Sequence, residues 1–196
     1  MAHLFRPLLL AAALAAACGR GRPAVYPDHG KVEAAHRRWC ALLTELYGEG
    51  GKWSHRADCE AADPAGSAEF IALMIPCFRG RYEAEQGALP DSRSMISACT
   101  EQVLVELAPA DPARNALVDA RCRRMKVCEE VEPAECHAGV ERLPSYHQAL
   151  FTTMYNERAQ DDIAECLLDA PCTKDEDRAR SDCYQPLQDK RLWLPI

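Results

Sequence analysis

The chain has 196 residues, 48% of them hydrophobic, with 23 Lys and Arg against 30 Asp and Glu for a formal charge of −7. An acidic balance argues against nucleic-acid binding, which needs clustered basic side chains to neutralise phosphates. Eleven cysteines point instead to a disulfide framework in an oxidising compartment.

Residues 1–6 form a short head whose one firm positive charge is Arg6, and residues 8–17 are a continuous apolar run ending in Ala15, Ala16 and Ala17 before Cys18. That order is the layout of a secretory signal. Such a run rises only ~15 Å as a helix, half of a ~30 Å hydrocarbon core, so a permanent membrane span is not expected.

The segment resembles the signal of bacterial lipoproteins, with Ala15-Ala16-Ala17-Cys18 in the motif and Gly19 after it. The resemblance covers residues 1–18. It implies cleavage before Cys18, lipidation of that cysteine with several acyl chains, and a firm membrane anchor. Gly19 in place of an acidic residue points, by the same resemblance, to the outer membrane. Leu14 stands four residues before Cys18, where the family usually has Leu three before. Ala15-Ala16-Ala17 also satisfies the rule of an ordinary signal peptidase, so a soluble secreted or periplasmic product is the alternative. Cysteine parity favours the anchor: without Cys18 an even ten remain, and lipidation removes the odd thiol.

Residues 19–30 carry prolines and glycines without an apolar period and read as a tether. The rest is helical in pattern. Val32, Ala35, Trp39, Leu42, Leu43 and Leu46 keep a three-to-four spacing and predict a helix over 31–47. A second helix is expected to open near Pro64 and to carry Phe70, Ile71, Met74, Cys77, Phe78 and Tyr82, with Pro76 kinking or breaking it. A third follows Ser92 with Met95, Ile96, Cys99, Val103, Leu104 and Leu107. Asp111 is the expected N-cap of a fourth, which carries Leu117, Val118, Cys122, Met125 and Cys128. The longest periodic stretch runs over 145–168, and a short helix covers 175–184. No strand pattern of useful length is present.

The spacing splits the ten cysteines into a set of four (Cys40, Cys59, Cys77, Cys99) and a denser set of six (Cys122, Cys128, Cys136, Cys166, Cys172, Cys183). Pro109 and Pro112 fall between the sets. The expected organisation is therefore a signal peptide at 1–17, a lipidated N-terminus and tether at 18–30, and helical modules at 31–108 and 109–196. The expected fold class is an all-α, disulfide-stapled helical bundle. Expected bridges are Cys122–Cys166, Cys128–Cys136 and Cys172–Cys183 in the second module. In the first, Cys40–Cys99 with Cys59–Cys77 is set against the alternative Cys40–Cys59 with Cys77–Cys99.

The search for chemistry returns absences. There is no C-x-x-C, H-E-x-x-H, phosphate loop, dinucleotide fingerprint or G-x-S-x-G. His55 before Cys59 and His137 after Cys136 would suit a metal only if the cysteines were reduced, so no metal and no cofactor are expected. The carboxylate neighbours Glu83 and Glu85, and Asp161 and Asp162, cannot face each other on a helix and read as solvated. Asp175-Glu176-Asp177 reads as a solvated helix start rather than a calcium loop. The basic run Arg121, Arg123, Arg124 and Lys126 reads as complementing the dipole at its own helix end. Trp39 fits the apolar stripe, Trp53 is open to a binding role, and the tail at 192–196 is expected to pack back on the domain, with a partner surface as the alternative.

No catalytic residue is assigned. The layout resembles uncharacterised Cys-rich helical envelope lipoproteins, which implies a non-enzymatic binding or scaffolding module held at the membrane, with another envelope protein as partner. The alternative is a secreted disulfide-rich inhibitor, small-ligand carrier or unrecognised hydrolase, drawing on His36, His55, His137, His147 and the many acids. A deep pocket where His and carboxylate converge would favour that alternative.

Overall fold

Side chains at three-to-four spacing, stopped by caps, account for most of the architecture. A computed structural model describes residues 26–48, 56–85 and 92–188. Among them the order is α1 (His29–Tyr47), α2 (Arg56–Ala61), α3 (Ala68–Ala84), α4 (Ser92–Glu106), a 3-10 turn (Pro112–Arg114), α5 (Ala116–Glu129), α6 (Pro133–Glu141), α7 (Ser145–Thr152), α8 (Glu157–Asp169) and α9 (Glu176–Gln188). The fold is all-α. Its extended pairing, among the described residues, is one antiparallel bridge between Gly66 and Tyr155. The signal segment with Cys18, Trp53, His55 and the tail at 189–196 lie outside the described residues.

Several helices start where a short polar side chain takes an orphan backbone N–H. Ser67 accepts from the Phe70 N–H at 3.1 Å, Asn115 from Val118 at 3.0 Å and Asn156 from Ala159 at 2.9 Å. Asp111, expected to cap the fourth helix, instead accepts from Ala113 and caps the 3-10 turn, and Asn115 caps α5. The second expected helix opens at Ala68 rather than near Pro64, because residues 64–66 are held extended against residues 154–156. Pro76 does not break α3, which runs on through it. Phe70, Ile71 and Met74 before the proline and Phe78 after it are all buried on one continuous core, which offsets the lost backbone bond. α2 and α6 have no counterpart in the expected elements. They are six and nine residues long, too short for a clear apolar period.

The periodic stretch at 145–168 is two helices, not one. Asn156 divides them. Its side-chain oxygen caps α8, and its amide donates to the Pro64 carbonyl at 2.6 Å and to that of Gly66 at 3.4 Å. Its backbone N–H reaches Ala65 O at 3.0 Å, and the Ser67 N–H reaches Met154 O at 2.9 Å. Asn156 is 7% exposed, so each of these groups would otherwise be buried without a partner.

One apolar cluster runs through the molecule. Trp39 and Leu43 of α1 meet Phe70, Ile71, Met74 and Phe78 of α3, and the cluster continues through Val103, Leu117, Met154, Ile163 and Leu167 to Cys183. Trp39 is fully buried and stands edge-on to Phe78, with ring centroids 5.1 Å apart. A smaller cluster of Val118, Cys122, Cys136 and Val140 closes α5 on α6.

The expected bridges are corrected throughout. Cys40 pairs with Cys59 and Cys77 with Cys99, so the alternative for the first set holds and Cys40–Cys99 with Cys59–Cys77 does not. Each of these bonds joins a helix to the next one along the chain. In the second set Cys122–Cys136, Cys128–Cys172 and Cys166–Cys183 replace Cys122–Cys166, Cys128–Cys136 and Cys172–Cys183. Cys122 and Cys136 are the two sulfurs that face the smaller core. Cys128, half-buried in the last turn of α5, is turned toward the α8–α9 loop and meets Cys172 there. All five pairs have Cα separations of 5.3–5.8 Å, within the usual range for a disulfide. Every bond stays within its own set, although the main core crosses the break at 108–112.

Arg124 departs furthest from its expected role. It is 3% exposed, and its guanidinium serves the end of α8, not that of its own helix. It donates to the carbonyls of Leu167 at 2.9 Å, Ala170 at 2.8 Å and Pro171 at 3.1 Å, and to Glu176 at 2.8 Å. One side chain thus satisfies three carbonyls at and just beyond the end of a helix. Glu176, expected to be solvated, is the buried partner. The Thr173 backbone N–H and the Arg124 side chain hold its carboxyl below the usual range, against burial.

Two outcomes are expected. Asn156→Ala removes a cap and strands the Pro64 carbonyl, which costs ~2–3 kcal/mol in urea unfolding; Asn156→Asp, which keeps the cap acceptor, loses less. Arg124→Met strands three carbonyls and costs ~3 kcal/mol or more. The stability tied to the Glu176 carboxylate is present above its ordinary pKa of 4.5 and is lost as pH falls through its lower folded value. Glu176→Gln should therefore flatten the acid limb of the stability profile.

Candidate functional site

The first two turns of α1 place His29, Val32, Glu33 and His36 along one side, since these positions recur at helical spacing. The Cys40–Cys59 bond holds α2 against that side and brings Glu60 to it. The lacing at Asn156 then carries Asp63 and the start of α8, with Arg158, to the same place. Together they enclose a cavity of about 410 Å³ whose lining also includes Tyr26 and Asp28, just before α1.

Charges around the cavity are mostly paired. His29 Nε2 lies 3.0 Å from Glu33, which also faces Arg37 at 3.7 Å, and Arg158 pairs with Asp63. Asp28 accepts from the Glu157 N–H at 3.4 Å. The rim beyond is acidic. Burial and the Asp28 and Asp161 carboxylates raise the Glu157 pKa, and burial and the Asp161 carboxylate raise that of Tyr26.

His36 lies at the floor, 2% exposed. Its Nε2 is 3.5 Å from Cys40 Sγ and 4.0 Å from Cys59 Sγ. Burial lowers its pKa, and the Glu60 and Asp63 carboxylates oppose that shift only in part. The imidazole is therefore neutral at neutral pH. It and the two sulfurs cluster within 4.8 Å, as metal ligands would. Zinc binds thiolates, however, and these sulfurs are bonded to each other. The same holds for Cys128, Cys172 and Glu176.

No Ser, Thr or free thiol lines this cavity among the described residues. Of the candidate histidines the structure brings His36 to this cavity, while His137 and His147 stand elsewhere and His55 lies outside the described residues. His137 is 3.9 Å from Asp119 with its Nδ1 buried and without a partner, and His147 stacks on Tyr146. Glu83, Glu85, Asp161 and Asp162 are exposed, and the first pair stands apart from the cavity. Nothing in the spacing marks Glu60, Asp63 or Arg158, because only the fold carries them to α1.

The lowered His36 pKa has a defined sign. Its stability contribution is complete above the ordinary value of 6.5 and is lost as pH falls through the folded value. Unfolding midpoints should drop between pH 7.5 and 5, and His36→Gln should reduce that slope; an unchanged slope would mean that protonation is not resisted at the floor. No protein-family model matches the chain, and neither a curated protein nor a solved structure is similar to it.

Proposed function

We propose that this protein is an exported lipoprotein, anchored through Cys18, whose disulfide-stapled helical domain is a binding module of the cell envelope. The observation that carries this is cysteine arithmetic made concrete. The other ten cysteines pair among themselves in five bonds, so Cys18 has no cysteine left to join. An odd thiol at the end of an apolar run of signal type is best accounted for by acylation. Buried disulfides suit an oxidising compartment.

The 410 Å³ cavity gives the module a place to bind. It also keeps the carrier reading in view, since histidines and carboxylates share its walls. Tyr26 lines it and lies eight residues after Cys18, so even a fully extended tether of ~3.3–3.6 Å per residue holds the cavity within ~30 Å of the anchor. A ligand bound there would be held close to the membrane surface.

Intact mass of the protein purified from a Gram-negative envelope tests the reading. The expected result is an N-terminal Cys18 carrying acyl chains, a gain of ten hydrogens on reduction for the five bonds, and loss of membrane association in Cys18→Ala. A Cys18→Ala variant that stays in the membrane fraction, or a mature chain starting after Cys18, would overturn it.

A further inference from the structure

A second cavity, of about 260 Å³, opens where α5, α7 and α9 meet, on residues that the first does not use. Its floor is aromatic. Phe151 and Tyr184 have ring centroids 6.4 Å apart, and Tyr155 and Tyr184 6.2 Å apart. Two guanidinium groups stand at its wall, and they differ. Arg180 is neutralised by Glu129 and Asp177. Arg121 makes no ion pair with a carboxylate among the described residues, and its Cζ sits 5.0 Å over the Phe151 ring.

The second unusual group is the Tyr184 hydroxyl. Its oxygen is buried beside the Arg121 guanidinium, and its own hydrogen finds no acceptor at hydrogen-bond geometry among the described residues. Burial raises its pKa and outweighs the opposing pull of the nearby Arg121, so it remains a donor at neutral pH. A buried hydroxyl without a partner is costly in a folded protein. Here the cost falls beside a cation that also lacks an anionic partner. Two donors therefore meet at one aromatic cavity whose remaining polar lining is Ser181 and the Arg180–Asp177 ion pair.

We propose that this cavity binds a small aromatic carboxylate, its ring against Phe151, Tyr155 and Tyr184 and its acid group between Arg121 and the Tyr184 hydroxyl. The acid accepts from both donors, and guanidinium is the cation whose fork best fits a carboxylate. Cavities of ~150 Å³ hold a benzene ring, so the space takes one ring with its acid. Apolar walls with a few convergent polar groups are the usual make-up of a small-molecule site. The assignment does not depend on acylation at Cys18. A failed anchor would leave it standing, and its own failure would leave the anchor untouched.

Phenylacetate and its neutral analogue phenylacetamide are the probes, titrated into the full oxidised chain and followed by calorimetry and by the chemical shifts of the Tyr184 and Phe151 rings. Phenylacetate should bind with shifts confined to these rings and to Arg121, and the amide about tenfold more weakly or not at all. Arg121→Gln should weaken phenylacetate by about tenfold or more, and Tyr184→Phe severalfold, both with near-native melting curves. Arg123→Gln, two residues along on the exposed face and paired with Asp119, should bind as the parent does. Equal affinity for acid and amide, no binding at millimolar concentration, or full affinity in Arg121→Gln would each overturn the proposal. Binding that appears only in Trp193→Ala would assign the cavity to the chain's own C-terminal segment and would overturn it equally.

Discussion

No disulfide crosses the joint between residues 26–108 and 109–188; all five close within one side or the other. Across it run the apolar cluster, the Asp63–Arg158 and Asp28–Glu157 contacts, and the exchange of hydrogen bonds around Asn156, which ties residues 64–67 to residues 154–156. The position of α8 against α1, and with it the first cavity, follows from that exchange. Buried polar groups of this sort fix register because any other arrangement leaves donors or acceptors unpaired. Hydrophobic contact alone would allow the two sides to slide, since it is not directional.

Charge is used the same way inside the second part. Arg124 closes the end of α8 from a neighbouring helix, and Glu176 locks it in place. The Cys128–Cys172 and Cys166–Cys183 bonds attach to the same corner. The α8–α9 connection is thus held both by covalent bonds and by a buried ion pair. A lone buried charge would be expensive, and the three carbonyls and one carboxylate around Arg124 remove that expense. Arg180 repeats the device nearer the surface with Glu129 and Asp177. Arg121, one turn before Arg124 on α5, makes no such pair among the described residues.

Elements with a long apolar period were readable: α1 begins two residues before its expected start, and Trp39 is in the core as its stripe implied. Short elements were not, because α2 buries a single residue, Cys59, and six residues carry no period. Disulfide partners were also hidden, since spacing along the chain does not say which helix faces which. The two cavities illustrate the same limit. His29, Glu33 and His36 can be read from α1, but Glu60, Asp63 and Arg158 arrive through the fold. Arg124 looked like one of a basic run, and nothing in the run separates the buried arginine from its exposed neighbour Arg123.

The bond pattern has a consequence for how the chain acquires it. On a chain that emerges N-terminus first, joining each cysteine after Cys18 to the next one out gives Cys40–Cys59 and then Cys77–Cys99, both native. The same rule applied to the later six gives Cys122–Cys128, Cys136–Cys166 and Cys172–Cys183, and none of these is native. The early half can be finished by an oxidant alone. The later half must either wait unoxidised until α5 to α9 have met or exchange its first bonds through thiolate attack, a step that runs from seconds to hours without help. Production of this protein should thus be limited by disulfide isomerisation in its C-terminal half, whatever the supply of oxidant.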